Sequence, residues 1–300
     1  IIPGYTFVST ANAFVLRGAK IVFADSYHNN PNIDPAQIEA LITPKTKAIV
    51  PVHYAGVACD MDAIMKLAEK HGLFVVEDAA QAIDSFYKGK PLGSIGHLAA
   101  FSFHETKNII SGEGGMITIN DEQFLDRAEV IREKGTNRSK FFRGEIDKYG
   151  WVDIGSSFLP SDIIAAFLFA QLEHLDSIQS KRKKIWEAYH TGLKELGCQG
   201  KVGLASIPDY ATNNAHLFYL ICKDLAERTR LINYLKALGI YAVFHYLSLH
   251  KSPFYQDKHD GRELPNTDKF ADCLLRLPFY YNLTESDQAY IIDAIGKFYK

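Results

Sequence analysis

Through its first hundred residues the chain alternates short apolar runs with segments of helical spacing, and few folds accept that pattern. "AKIVFAD" (19–25) is apolar and ends in an acid. "DPAQIEALI" (34–42) has helical spacing, with Asp34 as N-cap and Pro35 at the first helical position. "KAIVPVHYAG" (47–56) reads as a strand, and "DMDAIMKLAEKHG" (60–72) as an amphipathic helix closed by glycine. "LFVVEDAAQ" (73–81) and "LAAFSFH" (98–104) are further strands, and "EGGMITIN" adds one more. Apolar strands separated by helices predict an α/β fold, with a mainly parallel sheet covered on both faces.

From Ser161 the pattern changes. "SDIIAAFLFAQLEHLDSIQSKRKKIWEAYHTGLKELG" reads as one long helix able to link two domains. A strand ("HLFYLIC"), a helix ("ERTRLINYLKALG") and a strand ("IYAVFHY") follow. The last helix is "ESDQAYIIDAIGKFYK", with Thr284 as N-cap and Asp287 in its acidic first turn. The expected organisation is a large domain over 1–180 and a smaller C-terminal α/β domain over 181–300. The opening "IIPGYTF" reads as the end of a strand, so the chain is expected to be the later part of a longer protein.

The 300 residues carry a net charge of −2, which leaves no basic footprint for nucleic acid or an anionic membrane surface. No apolar run reaches the length of a membrane span, and no signal peptide opens the chain. Cys59, Cys198, Cys222 and Cys273 lie far apart without a C-x-x-C pair, and read as reduced thiols of a cytoplasmic protein.

Ligands of parallel α/β sheets collect beyond the carboxyl ends of the strands. Here three strands end in unusual chemistry: His53-Tyr54-Ala55-Gly56, Glu77-Asp78-Ala79-Ala80-Gln81, and His104-Glu105-Thr106-Lys107. Taken singly, Asp78 reads as a helix cap, Lys107 as a solvated cation and His53 as a core residue. Their convergence on one edge reverses that weighting. An amine and a carboxylate at one strand edge suit pyridoxal phosphate, which needs a lysine for its Schiff base and an acid against its pyridine nitrogen. Rival motifs fail. "SGEGGM" is not G-x-G-x-x-G, and neither G-x-x-x-x-G-K-[ST] nor G-x-S-x-G occurs. The histidines lack H-E-x-x-H spacing or cysteine partners, so no metal site is expected.

"VVEDAAQ", "FSFHETKN" and "GEGG", in this order, resemble the sugar aminotransferases of the DegT/DnrJ/EryC1/StrS family, and the likeness covers nearly the whole chain. The resemblance implies the PLP-dependent transferase type I (aspartate aminotransferase-like) fold. It implies that Lys107 forms the Schiff base and that Asp78 binds the pyridinium nitrogen. Gln81 would lie near the ring hydroxyl, Ser102 would donate to the phosphate, and Phe7 would stack on the ring. Sugar 3-dehydratases related to this family carry histidine at the lysine position, so Lys107 favours amino transfer. The glycines of "GEGG" either let the backbone pass close to the site or form a plain turn.

Two departures stand out. The family's phosphate-binding helix start lies upstream of "PGYTF". Its N-x-R stretch is replaced by Ser157 and Leu159 in "SSFLPSDIIAA", which puts a cross-subunit phosphate contact in doubt.

The implied reaction moves the amino group of L-glutamate to C4 of a dTDP-4-keto-6-deoxyhexose, for surface polysaccharide, in a homodimer. A 3-aminotransferase, a sugar dehydratase and a non-catalytic regulatory relative remain alternatives. "REKGTNRSKFFRG" supplies Arg132, Lys134, Arg138, Lys140 and Arg143 with Asn137 and Ser139, either as a nucleotide clamp or as a solvated loop. His245, Tyr246 and His250 in "FHYLSLH" are candidates for the sugar pocket, as are His53 and Tyr54; the plainer reading packs them in the core.

Overall fold

The computed structural model describes residues 1–300. Strand β1 (Ile2–Pro3) pairs in parallel with β2 (Phe23–Ala24), and helix α1 (Val8–Val15) crosses between them. Next come β3 (Ala48–Ile49), α2 (Met61–His71), β4 (Phe74–Asp78), a hairpin of β5 (Phe86–Tyr87) and β6 (Lys90–Pro91), β7 (Leu98–Ser102) and β8 (Gly115–Ile119). The central sheet has the order β3-β4-β7-β8. Its first three strands are parallel, as the alternation predicts, and β8 runs antiparallel to β7.

Local chemistry explains the boundaries. Asp60 accepts the Ala63 N–H at the start of α2, and Gly72 ends it at φ 61°, a left-handed position natural to glycine. In "GEGG", Gly112 also has positive φ, and a Cβ on Gly115 would lie 2.8 Å from the Phe101 carbonyl. Apolar residues of α2 (Met61, Ile64, Ala68) cover Ile49, Val75 and Ala99 of the sheet.

The chain continues through α3 (Leu125–Arg132), α4 (Arg138–Phe142), α5 (Asp162–Glu173) and α6 (Leu175–Cys198). A three-stranded antiparallel sheet, ordered β11-β10-β9, joins β9 (Gly203–Leu204), β10 (Tyr219–Ile221) and β11 (Leu274–Arg276). Around it lie α7 (Leu225–Ala237), α8 (Pro265–Cys273) and α9 (Glu285–Phe298), which Thr284 caps by accepting the Asp287 N–H. Tyr189, Phe218, Leu231, Leu235, Leu275 and Ile291 close a second core between this sheet and its helices.

Three expectations change. Residues 34–42 form two 3-10 turns, Pro35–Gln37 and Glu39–Leu41, rather than one helix; Asp34 does cap the first, through the Ala36 N–H. So short a segment cannot repay helix nucleation, and the fully buried Ile38 sets the bend between the turns. The long helix breaks at His174, whose N–H turns back to Gln171, so α5 and α6 are separate. Residue 180, the expected domain boundary, lies within α6. "IYAVFHY" is not a strand. Only Val243 pairs, exchanging both backbone bonds with Arg276. The chain then leaves the sheet edge toward the cleft described next.

Candidate active site

β4 and β7 are neighbours, with Asp78 opposite Ala100, so their carboxyl ends open on the same side. A cleft of about 1010 Å³ lies there, between the central sheet and the β10–β11 edge. Phe7, Asp78, Gln81, Ser102, Lys107, His245 and Tyr246 all line it.

Asp78 is held in place from α1. The Thr10 hydroxyl donates to its Oδ2 at 2.6 Å, and the Ala80 N–H donates to Oδ1 at 3.1 Å. Thr10 spends its only proton on the carboxylate, so Thr6, at 2.9 Å, donates to Thr10. Lys107 stands across the cleft floor. Its Nζ makes no hydrogen bond or ion pair, and burial lowers its pKa against the opposing field of Asp78, with the Arg276 cation adding to the lowering. An amine and an anchored carboxylate therefore face one space without bonding to each other.

Gln81 is doubly tethered. Its Oε1 accepts the Ala55 N–H at 2.7 Å, and its Nε2 donates to the Tyr246 hydroxyl at 3.0 Å. Tyr246 stacks on His245 with ring centroids 3.6 Å apart, and the Tyr54 hydroxyl lies 2.7 Å from His245 Nδ1. Burial, then the nearby Arg276 and Lys107 cations, push the His245 pKa down to about 2, so the ring is neutral. Ser102 Oγ accepts the His104 N–H at 3.3 Å. Phe7 leaves its ring 55% exposed at the cleft, 5.9 Å from Tyr246.

Five candidates take other places, and two of them, His53 and His250, need outright correction. His53 is fully buried: Nδ1 accepts the Cys59 N–H, so Nε2 carries the proton given to Glu77 at 2.9 Å. Glu77 also accepts from Gly93, Ile95 and Gly96, so this pair staples a loop behind β4. His250 is 3% exposed, between Phe23, His259 and Asp268, away from the cleft. Tyr54 is buried outside the cleft lining and touches it through His245 and Tyr246. Asn137 and Arg138 lie outside the wall: Asn137 accepts the Gly150 N–H, and Arg138 sits 4.8 Å from the Phe142 ring. Most of that loop's cations pair with acids, Lys140 with Asp126 and Arg143 with Glu129 and Glu145.

The sequence reading missed Thr10, Asn108, His216 and Arg276. Asn108 follows Lys107 directly. Its amide donates to Gln179 and to the Asn214 carbonyl, so its Oδ1 must accept from His216 Nδ1 at 2.8 Å. Burial and the Lys107 and Arg182 cations hold the His216 pKa well below normal, which leaves its Nε2 as an acceptor. A threonine in "FVST" and an arginine inside "CLLRLP" were the available signals.

The model of the DegT/DnrJ/EryC1/StrS aminotransferase family matches residues 1–296. The chain belongs to that family. It is 36% identical to the spore coat polysaccharide biosynthesis protein SpsC of Bacillus subtilis, over 97% of this chain and 76% of SpsC. It is 37% identical to a pleiotropic regulatory protein of Geobacillus stearothermophilus, over 100% of this chain and 78% of the relative. Its fold matches Spr1654 of Streptococcus pneumoniae in the PLP form, with TM-score 0.89 and 26% identity over 99% of this chain and 80% of that one. Members of the DegT family are PLP-dependent sugar aminotransferases, and Spr1654 is also solved in a PMP form. The donor set of the cleft fits that cofactor: a free amine, a carboxylate anchored opposite it, a serine hydroxyl and an open aromatic face.

Proposed function

We propose that this DegT-family chain aminates C4 of a dTDP-4-keto-6-deoxyhexose with L-glutamate as donor, in the cytoplasm, for a surface polysaccharide. The observation that carries the aminotransferase reading is the unpartnered Lys107 amine facing the Thr10-anchored Asp78 in one cleft. When bound, pyridoxal phosphate supplies an electron sink. Lys107 would hold it through Nζ, the same atom that would carry a proton for the substrate. Its lowered pKa raises the fraction of free amine available for that work. Asp78 would keep a ring nitrogen protonated, and the Thr6–Thr10 relay keeps its carboxylate aimed. Ser102 would bind a phosphate oxygen, and the exposed Phe7 ring would offer a face to a flat ring.

The neutral His245 and the tyrosines around it favour a hydroxyl-rich sugar. SpsC, named for polysaccharide biosynthesis, supports the pathway class. The regulatory name of the Geobacillus relative would fit a non-catalytic role, and the presence of both Lys107 and Asp78 in one cleft favours catalysis. A homodimer is supported by the apolar surface of α5 and the segment before it.

The test incubates holoenzyme with L-glutamate and the dTDP-4-keto sugar and analyses the product by NMR. The expected product is the 4-amino sugar with stoichiometric 2-oxoglutarate. Amination at C3, or loss of a hydroxyl without nitrogen gain, overturns the reading.

A further inference from the structure

His216 lies just ahead of β10, buried, and is held from several sides. Ala215 before it has φ 52°, a left-handed backbone that residues with a Cβ rarely adopt. The His216 N–H donates to Asn214 Oδ1 at 3.0 Å, and Arg182 donates to the carbonyls of Ala215 and His216 at 3.0 and 2.6 Å. Nδ1 donates to Asn108 Oδ1 at 2.8 Å. The Asn108 amide is itself spent on Gln179 and the Asn214 carbonyl, so the imidazole is fixed in one tautomer and one orientation. Backbone strain held in place by so many bonds is characteristic of functional sites. What this arrangement presents is Nε2, an acceptor without a partner on the wall of the cleft. Lys107, the neighbour of Asn108, brings an amine without a partner to the same cleft. Among the cations around the ring, Lys107 acts on it most strongly.

Resting on the aminotransferase reading above, we propose that His216 Nε2 accepts a hydrogen bond from the Lys107 amine and so positions it for proton transfer. A free amine has two hydrogens and one lone pair. Giving one hydrogen to a fixed acceptor aims the lone pair at the reacting carbon instead of leaving it to rotate. A carboxylate in the place of His216 would hold the lysine as an ammonium and take away its use as a base. A neutral imidazole orients the amine without that penalty. Buried and flanked by cations, the ring is too weak a base to take the proton itself, so Lys107 remains the carrier. A sugar hydroxyl is the rival donor to Nε2, and the test separates the two.

The first arm is nitrogen NMR of isotope-labelled histidine in the holoenzyme loaded with pyridoxamine phosphate, which leaves the lysine free. His216 should show one neutral tautomer with its proton on Nδ1, and its Nε2 resonance should shift in Lys107→Ala while Nδ1 stays. The second arm follows single turnover with L-glutamate carrying deuterium at its α-carbon. His216→Asn keeps a donor for Asn108 and removes the acceptor from the cleft. It should slow the isotope-sensitive step on the order of 10-fold, with L-glutamate binding changed by about threefold or less. His216→Gln returns an amide oxygen at roughly the reach of Nε2 and should recover part of that rate. An Nε2 resonance indifferent to Lys107→Ala, or a His216→Asn variant with the wild-type isotope-sensitive rate, overturns the assignment. So does weaker binding of the dTDP-4-amino sugar with proton transfer unchanged, which gives Nε2 to a sugar hydroxyl. Should the wild type take no nitrogen from L-glutamate, the function reading falls, and the NMR comparison, which involves no substrate, still decides the role of His216.

Discussion

Lys107 and Asp78 divide the work of the site between an amine with no partner and an acid with two. Lys107→Ala should abolish turnover together with the borohydride-trappable cofactor adduct; a variant that still turns over removes the lysine from its role. Asp78→Asn keeps shape and loses charge, and should lower kcat on the order of 10²–10³-fold while L-glutamate still binds. Thr10→Val should produce a smaller loss of the same kind, since it frees the carboxylate without removing it. Steady-state kinetics and cofactor absorbance of the three variants rank them, and a Thr10→Val effect equal to Asp78→Asn contradicts the aiming role.

Among the elements, β4 carries two adjacent acids with opposite duties. Asp78 faces the cleft, while Glu77 faces backward and holds the Gly93–Gly96 loop and His53. Glu77→Ala strands four donors in the interior and should cost about 3–5 kcal/mol in urea unfolding. Burial favours the neutral carboxyl of Glu77, but its bonds from His53 and the loop outweigh burial and hold its pKa below the usual 4.5. A depressed acid stabilises the fold above its unfolded pKa. The Glu77 contribution is therefore present above about pH 4.5 and lost as the pH falls through the lower folded value. Acid titration of Glu77→Gln should show a shallower stability loss in that window than the wild type. In α2, Gly72→Ala should cost about 1 kcal/mol with activity unchanged: a Cβ there meets nothing, so only the left-handed backbone resists.

Across the whole molecule, the apolar surface is concentrated on one stretch. Trp151 and Ile163 are 83% and 82% exposed, and Phe158, Phe167 and Phe169 add to the same segment. A soluble monomer rarely leaves such a patch open. Ile163→Asp with Phe167→Asp should shift the protein toward monomer in sedimentation experiments and lower activity with it; an unchanged sedimentation coefficient rejects this face as the interface. No helix is long and apolar enough to cross a membrane.

The central sheet was legible because burial on both faces writes itself as apolar runs, and because each run ends where its chemistry begins: "VVED", "FSFHETK". Lys107, Asp78, Gln81 and Ser102 could be gathered at one edge from strand order alone, since parallel strands bring their ends together. The sequence could not tell His53 from His245. Both follow apolar runs, yet one turns inward to Glu77 and the other is carried to the cleft by a segment that drops out of its sheet after Val243. Thr10 on Asp78, 68 positions apart, and Asn108 on His216, 108 apart, are contacts between distant elements, which no local periodicity records. Arg276 is the sharpest case: in the sequence it is a lone cation in an apolar strand, and only the packing of that strand against the cleft makes it a charge without a partner. Local propensity and burial pattern determined the elements; which side chains meet, and which are left waiting for a ligand, was decided by how those elements pack.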